Sequence, residues 1–412
     1  MPPPAGFTMY AEFDAVDTMY LVYDDYNRDY YVDLIEAATD YVDVVLWHSD
    51  AQAEIAQILQ SRLSPEALAR VSYLDFYDTP HYVFTSPYEI DSAVDSIWAV
   101  DFGPFFTRNE SGEIAIVDPH YYIDRINDNA IPDKMGDVLD MTVWRPDLNL
   151  EGGNLFSDGL GTCYSTTVVH EANAKYTATQ IDQIMADYFG CQKMIWLTPL
   201  SEEGTGHIDM FFILASPTDV IVGSFTQSQD ATNRIVMDDN AALLAGETNF
   251  AGDTLTVHRI PMPNPGQDYY GRVWRSYTNG LRLNGGYLVP VFEEHTAYQL
   301  DALAVLEGAL PGVTPVPVAS DGIMPWGGAI HCTTRSKPVG PAYLAATEPD
   351  WLCGGAPFCD DCTDECAADE VGCTEDGDRF TCGNTDTDAC RERIVMACPA
   401  SAPCSEGACG GE

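Results

Sequence analysis

One thiol follows a glycine pair in Gly327-Gly328-Ala329-Ile330-His331-Cys332-Thr333-Thr334. A structural cysteine more often sits inside an apolar strand. Here a histidine precedes it, two threonine hydroxyls follow, and the glycines let a ligand approach the backbone closely. That setting suits a nucleophile, with a core cysteine as the even-odds competitor. Four further polar clusters stand out. Trp98-Ala99-Val100-Asp101-Phe102-Gly103-Pro104 places one carboxylate among apolar residues before a turn; the plain reading is a strand-end Asp capping that turn. Glu151-Gly152-Gly153-Asn154, then Ser157-Asp158-Gly159-Leu160-Gly161-Thr162, reads by itself as hairpin turn chemistry. Gly204-Thr205-Gly206-His207-Ile208-Asp209 opens an apolar strand, where a period of two puts His207 and Asp209 on one face as an acid–base candidate. Tyr277-Thr278-Asn279 through Asn284-Gly285-Gly286 holds two asparagines that read as turn residues.

Together these offer one thiol, one histidine and two or three carboxylates, with no metal motif and no phosphate loop. Asp101 and Asp209, with Glu151 as a third, would make an anionic pocket for a flat cation. Guanidinium presents five N–H donors in a plane that paired carboxylates match bidentately. Its carbon stays open to a thiolate from Cys332, formed under the influence of the positive ligand and His207. Attack, loss of ammonia with a proton from His207, and hydrolysis of the S-linked thiouronium give a ureido product. No cofactor is needed.

The elements that must position these groups alternate in type. Strands are predicted at Met19–Tyr23, Val44–Trp47 and Val71–Phe76, with helices at Tyr30–Tyr41 and Ala51–Leu63 and a Ser64-Pro65 helix start. Further on come a helix at Gln180–Phe189, a strand at Met194–Thr198 and a hairpin around Ser216-Pro217. A helix at Asn233–Leu244 and strands at Thr254–Ile260 and Tyr287–Phe292 follow, then a helix at Ala297–Leu310. Strand–helix units every 50 to 70 residues suggest a diverged internal repeat.

The chain carries 64 acidic and 19 basic residues in 412, a formal charge of −45. Nucleic acid and anionic membrane are poor partners for it; cationic small molecules or peptides are good ones, although a solvated acidic coat is the plainer origin of the charge. No apolar run is long enough for a transmembrane helix, and the opening Met-Pro-Pro-Pro has no signal-peptide pattern. Of thirteen cysteines, only Cys163, Cys191 and Cys332 precede residue 350. The others, from Cys353 to Cys409, crowd a Gly- and Asp-rich tail. Such a tail reads as a disulfide-stapled module and an oxidising, extracytoplasmic compartment, with zinc at Cys359-x-x-Cys362 as the competitor. Solvated turns account for its carboxylates better than calcium binding does. The expected boundary divides residues 1–346 from 347–412, and the tail is a candidate for contact with a surface or another protein.

Taken in order, the motifs resemble the bacterial peptidylarginine deiminase and agmatine deiminase family of guanidino-modifying enzymes. The match runs from about Ala11-Glu12-Phe13 to Thr334. It rests on Trp98-x-x-Asp101-x-Gly103-Pro104, Glu151-Gly152-Gly153-Asn154 with Asp158-Gly159-x-Gly161-Thr162, Gly206-His207-x-Asp209, Tyr277-x-Asn279 and Gly327-Gly328-Ala329-Ile330-His331-Cys332. The resemblance implies an α/β fold, a five-bladed propeller with the site on its axis. It implies Cys332 as nucleophile, His207 as acid/base, Asp101 and Asp209 as guanidinium holders, and Asn279, Glu151, Trp98 and Asn154 around the substrate. Asn279 owes its place to the resemblance alone.

The chain departs from the family twice. Val100 stands where an arginine usually precedes the first Asp, so Asp101 is expected to be pushed up or the pocket altered. In Tyr121-Tyr122-Ile123-Asp124-Arg125, one of two carboxylate-gripping arginines remains. Arg125 therefore favours a peptide arginine substrate, with a surface arginine as the plain alternative. The leading expectation is deimination of peptidyl-arginine. Agmatine is the second substrate, and a non-catalytic scaffold for cationic peptides the third reading.

Overall fold

The computed structural model describes residues 2–48, 52–75, 94–109, 111–267, 272–293 and 296–339, and the backbone of short strands between Val371 and Cys409. Contacts divide the chain into two units, Met1–Ala346 and Thr347–Glu412. In the second, Val371–Cys373, Arg379–Gly383 and Glu392–Met396 pair antiparallel in that order. Cys404–Ser405 pairs with Ala408–Cys409. The pairing of the tail cysteines, and any zinc or calcium on them, lie outside the described residues.

The first unit is α/β and repeats one motif in five sheets. Each has an antiparallel strand pair, a helix, and a third strand parallel to the second. Phe105–Arg108 and Ile114–Val117 are followed by the helix Ile131–Leu139 and the strand Val143–Trp144. Phe156–Ser157 and Thr162–Thr166 are followed by Ala178–Phe189 and Lys193–Leu197. Phe212–Leu214 and Asp219–Ser224 lead through Ala231–Ala245 to Thr256–Pro261. Leu281–Leu283 and Gly286–Val291 lead through Thr296–Ala309 to Thr314–Ala319. The fifth sheet joins the two ends of the unit. Thr334–Pro338 pairs antiparallel with Val16–Val22, which runs through Arg28–Thr39 to the parallel Asp43–His48. First strands beginning at 105, 156, 212, 281 and 334 keep close to the interval expected from the sequence.

Local chemistry explains the helices. Thr177 and Gln180 cap Ala178–Phe189 reciprocally, and Gly190 closes it at φ 75°. Ile181, Met185 and Phe189, four residues apart, bury one face. On Arg28–Thr39 the expected face, Tyr31, Leu34, Ile35 and Ala38, is fully buried. Burying each of Leu34 and Ile35 contributes roughly 2 kcal/mol. Cys163, in a buried strand, is disulfide-bonded to Cys191, just past the helix end. Closing a loop of 28 residues stabilises by roughly 3–4 kcal/mol in the chain-entropy account. Among the described residues no helix is long and apolar enough to cross a membrane.

Candidate active site

The repeat determines where chemistry collects. A short polar segment lies just ahead of the first strand of every sheet. These segments are Ala99–Phe102 with Asp101, Gly152–Asn154 after Glu151, Ile208–Met210 after His207, the turn at Asn279, and Ile330–Thr333 with Cys332. Cys332, His207, Asp101, Asp209 and Asn279 are all buried, and the structure brings them together.

Cys332 is the one free cysteine among the described residues. Its helix needs glycine behind it: a Cβ on Gly328 would lie 2.5 Å from Sγ and 3.1 Å from the Trp98 ring. Asn279 holds the Cys332 segment from both ends. Its Nδ2 donates to Sγ at 3.1 Å, while its Oδ1 accepts from the Ala329 N–H at 2.8 Å. Asn279 is thus a positioning group, whereas Asn284 is the turn residue expected, at φ 53°. The thiol donates to Asp209 Oδ2 at 3.3 Å. Burial, then the charges of Asp209 and Asp101, push the thiol well above its ordinary range; the Asn279 hydrogen bond opposes them.

Asp209 and His207 do not lie on a strand, as their spacing predicts. Asp209 sits in a 3₁₀ turn, Ile208–Met210, with His207 at its start. Two distant residues enforce the turn: Asn154 Oδ1 accepts from Ile208 N–H at 3.1 Å, and Thr278 Oγ1 donates to the Asp209 carbonyl at 3.0 Å. The two side chains converge nevertheless. A Cβ on Gly153 would lie 2.8 Å from Asp101 Oδ1, 2.8 Å from His207 Nδ1 and 2.9 Å from Asp209 Oδ2. The absent side chain of Gly153 is therefore the space these groups surround. Asp209 Oδ1 and His207 Nδ1 are buried with no hydrogen-bond partner there, an arrangement a bound ligand would complete.

His207 lies between two carboxylates, with Nδ1 3.6 Å from Asp101 and Nε2 3.4 Å from Glu151. Burial lowers its pKa, but Asp101, Glu151 and Asp209 override it and raise it to about 10. Burial chiefly pushes Asp101 up to about 7; His207 opposes, Glu151 and Asp209 add to it, and the Gly153 N–H donates to it at 3.0 Å. Asp101, Glu151 and His207 offer ligand atoms within 4.8 Å of one another, close enough to surround one cation.

The remaining expected residues divide. Trp98 abuts Gly328 beside Cys332. Asn154 lines the adjoining pocket, but its Oδ1 is already used by the N–H of Thr166 and of Ile208 and by the Thr166 hydroxyl. It positions the site's walls. Arg125 donates to the Tyr121 hydroxyl, and its guanidinium lies over the Tyr121 and Tyr122 rings at 5.5 and 5.1 Å. It does not line the pocket of about 300 Å³ that opens beside His207 and Glu151 between Tyr121, Tyr122, Leu150 and Val168. Asp158 accepts from Leu160 and Thr162 N–H, ordinary turn chemistry as the spacing suggests.

Two residues escape sequence reasoning. His331 Nδ1 is 2.9 Å from Asp209 Oδ2 and its Nε2 is 3.7 Å from Glu12 Oε2. Adjacency of His331 to the thiol was the only signal; Glu12 gave none.

Comparison with known proteins identifies the family and the fold. The family model of Porphyromonas-type peptidyl-arginine deiminases matches residues 8–338. An agmatine deiminase of Pseudomonas aeruginosa is 26% identical over 283 residues, 60% of this chain and 76% of that protein. The structure of the agmatine deiminase of Enterococcus faecalis superposes with a TM-score of 0.68 at 22% identity, over 81% of this chain and 96% of that one. A putative arginine deiminase structure from Porphyromonas gingivalis gives 0.67 at 19% identity, over 81% and 99%. The chain belongs to the Porphyromonas-type peptidyl-arginine deiminase family of guanidino-group deiminases.

Proposed function

We propose that the protein hydrolyses a small free guanidine of the agmatine type to a ureido product and ammonia. The observation that carries this choice is the pocket beside His207. Its described lining includes the Glu151 carboxylate and two tyrosine rings but no arginine or lysine. A substrate carboxylate finds no guanidinium or ammonium partner on that lining, and the cationic His207 there already lies between Asp101 and Glu151, whereas an aliphatic or cationic tail is accommodated. Relatives named agmatine deiminases support the same choice. The peptidyl-arginine reading is supported by the family model and by Arg125, but that guanidinium is engaged by Tyr121.

In this account Asp101 and Asp209 hold the guanidinium over Gly153. The added positive charge offsets the carboxylates that keep the Cys332 thiol protonated, so the thiolate forms as substrate binds and its proton leaves to solvent. Sγ attacks the guanidinium carbon, giving a neutral tetrahedral adduct. His207, cationic at neutral pH, gives its proton to the departing nitrogen, and the C–N bond breaks to release ammonia. Water adds to the S-linked thiouronium while neutral His207 takes its proton. The C–S bond then breaks, the ureido product forms, and the remaining proton leaves with ammonia as ammonium. Asn279 stabilises the thiolate at the start and end of the cycle.

The five sheets, and the pairing of the unit's last strand with its first, support a five-bladed propeller with this site at its hub. The Cys163–Cys191 bond supports residence in an oxidising compartment. We assign the tail to contact outside the catalytic unit.

The test compares ureido product from agmatine and from a peptide ending in arginine, with Cys332→Ala as blank. Turnover of agmatine well above the peptide is expected; product from the peptide alone would return the assignment to peptidyl-arginine and make Arg125 the specificity residue.

A further inference from the structure

His331 is not needed for any step above, yet both of its ring nitrogens face a carboxylate, Asp209 at 2.9 Å and Glu12 at 3.7 Å. A neutral imidazole would turn a lone pair toward one of them; only the imidazolium presents an N–H to both, hydrogen-bonding Asp209 and lying at ion-pair distance from Glu12. The ring is 3% exposed and lies parallel to Phe156 at 5.3 Å, which fixes its plane. Asp209 Oδ2, the oxygen it holds, is also the acceptor of the Cys332 thiol.

We propose that His331 is a cationic positioning residue that, backed by Glu12, aims Asp209 and offsets its charge beside Cys332, thereby setting the pH at which the nucleophile forms. The inference rests on Cys332 being the nucleophile and not on which guanidine is the substrate. Without that cation, Asp209 would face the thiol as an uncompensated buried charge, and the thiolate would be harder to form. Burial alone would discharge His331, but hydrogen bonds and charges from Asp209 and Glu12 raise its pKa to about 9. Glu12 is correspondingly held low, against burial, by His331 and Arg335. The other charged groups around the pair are Asp101 and His207 across Gly153, and Arg282, which lines the small cavity behind His331. Tyr10 and Tyr287, near Glu12, are both pushed up by burial and stay neutral.

The experiment follows alkylation of Cys332 by iodoacetamide in the full chain against pH, mapped by mass spectrometry, with thermal unfolding alongside. His331→Asn keeps a donor near the Nδ1 position without the charge. Its alkylation midpoint should rise by about one pH unit or more relative to the parent. Glu12→Gln, which leaves the ring in place, should move it the same way by a smaller step, and serves if His331→Asn does not fold. An unchanged midpoint in a folded variant would overturn the proposal and leave His331 a packing residue. Alkylation is read without substrate, so a failure of the agmatine assignment shows separately, as a parent protein inert toward agmatine with a normal midpoint.

Discussion

In the proposed reaction Asp101, His207 and Cys332 carry the chemistry, and their protonation should govern its pH dependence. Asp101 is pushed up to about 7, so below that pH it is increasingly neutral and holds a guanidinium less well. The KM for agmatine should therefore rise as pH falls through about 7, by roughly tenfold per pH unit at the limit. A KM flat between pH 5 and 8 would remove Asp101 from substrate binding. Much of this level was legible in the sequence, because a thiol after two glycines and a His-x-Asp pair are local signals. Asn279 was not: an asparagine in a glycine-rich turn looks the same whether or not it reaches a thiol 53 residues away. Nor was Glu12, whose partner His331 lies at the other end of the catalytic unit.

At the level of elements, each segment leading into a sheet delivers one part of the site, and their close approach dictates the glycines. Gly152 has the Val100 carbonyl so near that a Cβ would fall 1.9 Å from its oxygen, and Gly153 borders the ligand space itself. Gly153→Ala would place a methyl group among Asp101, His207 and Asp209. Agmatine kcat/KM should fall by about a hundredfold or more while thermal stability stays near the parent's, as measured by steady-state kinetics and calorimetry. The strand expected for His207 and Asp209 failed for a physical reason of the same kind. Asn154 and Thr278, from segments leading into two other sheets, hold that segment in a 3₁₀ turn, and no period within it reveals them. The helices follow their expected bounds more closely, Gln180–Phe189 being observed as Ala178–Phe189, since a buried face such as that of Arg28–Thr39 is written in neighbouring residues.

On the scale of the whole molecule, a chain with a formal charge of −45 carries a site suited to a cation. Such a field concentrates cations near the surface and is screened by salt. Agmatine KM should rise by about two- to tenfold between low salt and 0.5 M, with kcat little changed. A salt-independent KM would make the acidic surface a matter of solvation alone. The repeat was visible as spacing, but the pairing of Thr334–Pro338 with Val16–Val22, which brings Cys332 to the other four arms, joins distant ends of the sequence that no local pattern links.

The central claim is that Cys332 attacks the guanidinium carbon. Acid-quenched reactions with agmatine, digested and mapped by mass spectrometry, test it directly. The account predicts a peptide containing Cys332 heavier by agmatine less ammonia, present during turnover and absent after substrate is exhausted. An adduct on another residue, or ureido product formed at an undiminished rate by Cys332→Ala, would contradict it.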